Sequence, residues 1–196
     1  MSNKIIAISR QFGSGGHTVG KLVAQRLGIP CYDHELIEKI AEESGFCPEF
    51  IKERGEYAST GSWLANAFAD RDYYGHSLQD DVWFAQRKVI LELAEKGPCV
   101  IIGRCADYIL EDNYDCLKVF IYADMEARAK RVVEQYGEAK QTPERRLRDK
   151  DKRRAAYYSF YTDRKWGEAS NYHICLSTSA LGIERCADII ADIYSG

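Results

Sequence analysis

Five short stretches rich in β-branched and other apolar residues divide the chain of 196 residues. They are 4–9 (KIIAIS), 30–33 (PCYD), 99–103 (CVIIG), 117–123 (LKVFIYA) and 173–177 (HICLS). Runs this short and this apolar read as strands buried on both faces, the pattern of a parallel sheet. Parallel neighbours need crossover connections, and segments of helical periodicity follow. These are 18–27, closed by Gly28 and Pro30; 36–41; 81–96, stopped by Gly97 and Pro98; one from Asp124, as its cap, through Val132; one opened by Pro143; and a last with Ile183, Cys186, Ala187, Ile190 and Ile193 on one face. The expected fold is α/β with three layers, a five-stranded parallel sheet between helices.

Composition removes several classes of function. The 45% hydrophobic content suits one domain with a real core, residues 1–196. A formal charge of −3, from 27 basic and 30 acidic side chains, argues against a nucleic-acid track, so any anion site is local. No stretch reaches the roughly 20 apolar residues of a membrane span, and the first eight residues lack the sections of a signal peptide. A cytoplasmic protein with no membrane partner is expected. Cys31, Cys47, Cys99, Cys105, Cys116, Cys175 and Cys186 show no CxxC pair and read as reduced core thiols.

In open α/β sheets, ligands sit beyond the carboxyl ends of the strands. There lie Asp33, Arg104, the loop 177–179 and, above all, residues 9–21, SRQFGSGGHTVGK. Two registers compete for that segment. Gly15 to Lys21 satisfies GxxxxGK, but Leu22 follows where a hydroxyl should, and Lys21 falls about a turn into the helix, away from its anion-binding end. The other register sets Gly13, Ser14, Gly15, Gly16, His17 and Thr18 against the GSGKGT loop of nucleoside monophosphate kinases. It keeps the hydroxyl at Thr18 and puts Gly16 in the lysine's place. A tight strand-to-helix turn without a ligand is the bland alternative.

The second register opens a wider resemblance. An ISRxxGSGG opening at 8–16, Leu27-Gly28 at the helix end and Tyr32-Asp33 recur in the cytidylate kinase-like branch of the P-loop nucleoside monophosphate kinases. Residues 100–104 (VIIGR) resemble that family's GRD segment, 118–121 its next strand, 174–179 its adenine-side loop, and 151–154 (DKRR) the DSxR of its lid. The chain departs from it at Gly16 and at Cys105, which stands where GRD has its aspartate, with Asp107 two places on.

The resemblance implies a P-loop nucleotide kinase fold with an acceptor-binding region at 34–96 and an Arg-rich helical lid at 138–170. It implies transfer of the γ-phosphate of ATP, with Mg2+, to a small acceptor, most of all a nucleoside monophosphate such as CMP. Loop residues Gly13 to Thr18 would hold the donor phosphates, and Thr18, with Asp33 through water, the metal. Arg104, Asp33 and Asp107 would meet the acceptor, and Arg153 and Arg154 would close over the transfer, with Asp151 as the lid carboxylate. Arg10, at the edge of the loop, is the candidate to replace the lysine, ahead of Lys21 and the lid arginines.

Other readings stay open for several of these residues. Asp33 could cap a helix from His34, Arg104 could pair with Asp107 or Asp33, and His17 could point from the loop or cap its helix. At least half of Arg145, Arg146, Arg148, Arg153 and Arg154 would be a solvated face. Tyr157, Tyr158, Phe160, Tyr161 and Trp166 read as packing rather than base stacking. In 46–80, Tyr57, Trp63, Arg71, Tyr73 and Tyr74 could line the acceptor pocket or a homodimer contact. A nucleotide-binding module without turnover, and a kinase for a non-nucleotide acceptor, are the rival functions.

Overall fold

The structure, a computed structural model, describes residues 4–33, 36, 39, 43, 78–137 and 141–196. Strands β1 (Lys4–Arg10), β2 (Cys31–Tyr32), β3 (Cys99–Ile102), β4 (Asp115–Tyr122) and β5 (Ile174–Ser177) form one parallel sheet in the order β2-β3-β1-β4-β5. The described helices are α1 (Gly16–Leu27), α2 (Leu78–Lys96), α3 (Ala106–Ile109), α4 (Met125–Tyr136), α5 (Pro143–Thr162), α6 (Thr178–Leu181) and α7 (Ile183–Ser195). The helix expected at 36–41 lies largely outside the described residues, as do Tyr57, Trp63, Arg71, Tyr73, Tyr74 and Cys47.

The central place of β1 accounts for its sequence. Side chains alternate across a strand, so Ile5 and Ala7 enter one core and Ile6 and Ile8 the other, none more than 1% exposed. The first core is completed by Val89, Ile90 and Leu93 of α2, the second by Val19 and Val23 of α1 with Cys186, Ala187 and Ile190 of α7. Gly20 lets α1 lie close to the sheet, since a Cβ there would stand 2.6 Å from Ile102 Cδ1. Helices therefore cover both faces, which is the three-layer arrangement expected from the apolar runs.

Boundaries differ locally. Helix α1 starts at Gly16 rather than Thr18, α2 at Leu78 rather than Asp81, and β4 at Asp115. Pro143 does open α5, with the Thr142 hydroxyl accepting a bond from the Arg145 N–H at 3.4 Å. Asp124 stands at the cap of α4, but its side chain makes no capping bond. Its N–H instead donates to Ser179 Oγ at 3.1 Å, which ties the start of α4 to α6. Cys31, Cys99, Cys105, Cys116, Cys175 and Cys186 are all free thiols, as expected.

Candidate active site

The chain leaves β1 at Arg10 and turns back into α1 through Gly13 and Gly15, whose φ of 74° and 81° favour glycine. Buried Ser14 braces the turn: its hydroxyl donates to Gln11 O at 2.8 Å and accepts from the Gly16 N–H at 3.3 Å. The loop carbonyls are bound from outside, Phe12 O by Arg128 Nε at 2.8 Å, Gly13 O by Arg131 Nη1 at 2.6 Å, and Ser14 O by Thr178 Oγ1 at 2.6 Å. The first turn of α1 holds no acidic residue, so the positive end of its dipole is left for an anion. Thr18 is half-buried in that turn, whereas Lys21 is exposed further along the helix.

Arg10 crosses from this loop to the end of β3. Its Nη2 lies 3.8 Å from Asp33 Oδ1, and the other Asp33 oxygen is 3.2 Å from His17 Nε2. Burial lowers the His17 pKa, as do the charges of Lys21 and Arg10, against the pull of Asp33. His17 thus pairs with Asp33 beside the loop. The segment that Asp33 could cap, from His34, lies outside the described residues.

After β3 the backbone enters a left-handed run, Gly103, Arg104 and Cys105 at φ 80°, 58° and 55°. Two of these are not glycine, and such backbone persists where surroundings hold it. Here Gln86 Nε2 donates to Arg104 O at 2.7 Å, and Tyr157 OH donates to Gln86 Oε1 at 2.9 Å. Arg104 is 8% exposed, and its buried Nη1 has no hydrogen-bond partner among the described residues. No ion pair joins it to Asp107 or Asp33 among those residues; Asp107 accepts from Tyr158 OH at 2.8 Å. A buried guanidinium with an unmet donor is costly unless an anion completes it. It lines a narrow pocket of about 30 Å³ with Ser9, Arg10, Gly103, Arg154 and Trp166.

Helix α5 packs over the loop. Arg146, Lys150 and Arg154, each four residues apart, bring their charges to 5.9, 5.9 and 5.6 Å from the centre of the Phe12 ring. Asp151 Oδ1 accepts the Phe12 N–H at 2.8 Å and its other oxygen pairs with buried Arg128. Arg154 Nη1 donates to Arg10 O at 2.9 Å. Arg153 is half-buried and does not line the pocket, while Arg145 and Arg148 are exposed as a solvated face would be. The aromatic run packs: Tyr161 stacks on Trp83 at 4.3 Å, Trp166 Nε1 donates to Ser9 Oγ at 3.0 Å, and Tyr158 holds Asp107. The pocket therefore gathers Arg10, Arg104 and Arg154, leaving Arg153 outside and Asp107 beneath.

Asp107 gives a pH prediction. Burial pushes its carboxyl up to about 6, against the Tyr158 hydrogen bond that lowers it. Its folded pKa is thus above the unfolded value of about 4, so stability from this group is greatest below pH 4 and is lost as pH rises through 6. Asp107→Asn keeps an acceptor for Tyr158 and removes the charge. In denaturant unfolding, the variant is expected to lack a pH-dependent loss on the order of 2–3 kcal/mol between pH 4 and 7. Identical pH profiles would refute it.

Sequence reasoning missed Phe12, Arg128 and Arg131. The last two lie on one face of α4, three residues apart, and reach loop carbonyls. Basic residues at that spacing just after a strand were the available signal.

A parallel sheet in this order, with a glycine loop between its central strand and first helix, defines the P-loop kinase fold. Shikimate kinase from Acinetobacter baumannii, solved in complex with shikimate, shares the fold at TM-score 0.56 and 18% identity, over 97% of this chain and 92% of that one. Residues 5–180 match the model of the cytidylate kinase-like family, and the chain belongs to that family. It is 27% identical over 190 residues to a cytidylate kinase of Pyrobaculum aerophilum, covering 96% of this chain and 91% of that one. It is 32% identical over 161 residues to one from Archaeoglobus fulgidus, covering 80% and 76%. A crystal structure of an uncharacterized protein from Eubacterium ventriosum matches 98% of this chain and 99% of its own, at TM-score 0.74 and 31% identity. No described helix is long and apolar enough to cross a membrane.

Proposed function

We propose that the protein is a MgATP-dependent kinase of the cytoplasm that phosphorylates a nucleoside monophosphate, CMP foremost. The observation that carries this is the buried Arg104, its unmet Nη1 in one pocket with Arg10 and Arg154 beside the glycine loop. The names of the two archaeal relatives favour cytidine as the base.

In this reading the donor phosphates rest on the amides from Gly13 to Thr18. Arg104 orients the acceptor phosphate so that one of its oxygens bonds to the γ-phosphorus as the bond to the β,γ-bridging oxygen breaks, releasing ADP. No covalent enzyme intermediate forms. Helix α5 belongs to the lid at 138–170 and excludes water, with Arg154, and Arg153 on closure, neutralising charge over the transfer. Residues 34–96 are the acceptor region in this reading, Asp33 a contact of the acceptor, and Asp107, buried under Tyr158, acts from behind the pocket.

The donor set suits magnesium, which keeps several waters and takes few protein ligands beside phosphate oxygens. Thr18 Oγ1 and, through water, Asp33 would hold it. When bound it would offset phosphate charge.

The test is ADP release from MgATP with CMP, dCMP, UMP or AMP, with Arg104→Met alongside. Turnover with CMP above the others, lost in the variant, is expected. ATP binding with no acceptor raising ADP release would overturn the reading in favour of a nucleotide-binding module or a kinase for another acceptor.

A further inference from the structure

Gly16 stands where a phosphate-loop kinase has its lysine, and the space around it explains why. A Cβ on Gly16 would lie 2.6 Å from Arg10 Cβ and 3.0 Å from Arg10 Cγ, with Ile121 Cβ at 3.2 Å. No side chain, alanine included, can start from that position without displacing the Cβ and Cγ of Arg10. Gly16 is helical and has no positive φ, so backbone conformation does not call for glycine there. Glycine is also a poorer choice than alanine inside a helix.

The far end of Arg10 meets a second glycine. A Cβ on Gly103 would stand 1.9 Å from Arg10 Nη1 and 3.0 Å from its Cζ. One arginine thus fills the room left by two missing side chains, one at the start of α1 and one at the end of β3. Its head reaches the pocket shared with Arg104 and Arg154. Asp33, 3.8 Å from Nη2, fixes its direction.

We infer that Arg10 is the cation of this phosphate loop: its guanidinium supplies, from the end of β1, the charge that a lysine at position 16 supplies elsewhere. The inference rests on the proposed kinase reading. Because Arg10 runs from the donor loop to the acceptor side, its planar fork stands where the phosphoryl group passes, and two of its donors can hold two oxygens at once. A lysine at position 16 is sterically exclusive with any side chain at position 10, because the nearest contact is the Cβ itself.

Reciprocal substitution tests this, with MgATP affinity by calorimetry, ADP release with CMP, and thermal melting on each protein. Arg10→Ala is expected to fold and to lose about ten- to a hundredfold in MgATP affinity and at least as much in turnover. Gly16→Lys alone should melt earlier than wild type, because both side chains claim one space. Arg10→Gly with Gly16→Lys, which also removes the Cβ at position 10, should recover at least tenfold over Arg10→Gly. If Arg10→Ala does not fold, Arg10→Met, which keeps the stem, carries the same expectation. A folded Arg10 variant with wild-type affinity and turnover overturns the inference, as does a double variant no better than Arg10→Gly. Wild-type protein that binds no MgATP overturns the kinase reading itself.

Discussion

Arg104→Met lowers kcat/KM for the acceptor nucleotide by about a thousandfold while leaving the melting temperature equal to or above that of the wild type. Both parts of this expected result follow from one observation: Arg104 is buried, and its Nη1 has no partner among the described residues. Two charge-assisted bonds to a phosphate contribute roughly 3–5 kcal/mol together, which is two to three orders of magnitude or more in rate. In the protein without ligand the same group is a desolvated charge, and a Met of similar length removes that burden without leaving a large void. Arg104→Lys would not restore the rate, because an ammonium cannot make the bidentate contact. Steady-state kinetics and calorimetric melting check both halves. Parallel loss of stability and turnover would mean that Arg104 is a structural strut.

Asp151→Ala has the largest expected effect on stability. Arg128 is 3% exposed, its Nη2 pairs with Asp151, and the other Asp151 oxygen accepts the Phe12 N–H. Removing the carboxylate leaves a guanidinium in the interior with its charge unmatched, a change worth about 3 kcal/mol or more. Asp151→Asn keeps the bond to Phe12 and loses the charge, so it should fall between wild type and alanine. Urea unfolding of the three proteins orders them; equal midpoints would exclude a structural role for the pair. Since Phe12 lies in the loop, Asp151→Ala should also weaken nucleotide binding, and added nucleotide should then widen the stability gap, because the tighter-binding wild type gains more.

Much of the architecture was legible because it depends on periodicity. The runs at 4–9 and 99–103 are apolar on both faces, so they could only be inner strands, and they are β1 and β3. The loop register turned on a lysine too deep in its helix, and Lys21 is exposed beyond the first turn of α1. Arg104 was picked out because an arginine directly after a buried strand needs an anion. The crossing of Arg10 over Gly16 was not readable, since it joins residues six apart through a turn whose shape depends on two glycines of positive φ. Nor was the seat of Asp107 beneath Tyr158, 51 residues away and set by the packing of α5 on α3. Arg128 and Arg131 have only their spacing on α4 to mark them in the sequence, and the neighbouring loop carbonyls give them their place.

The strand order also bears on the order in which the molecule can assemble. The central strand comes early in the sequence, yet its two neighbours come late: Ile5 pairs with Cys99 on one side and Cys116 on the other. A chain emerging from the ribosome therefore carries its glycine loop through the synthesis of some hundred further residues, about the separation of Ile5 from Cys116, without the walls that shape it. Long-range pairings of this kind slow folding, because the entropy of closing the intervening chain is lost before any contact rewards it. Nascent chains halted before β4 should then bind no nucleotide, and the site should appear in one step once β4 has cleared the tunnel.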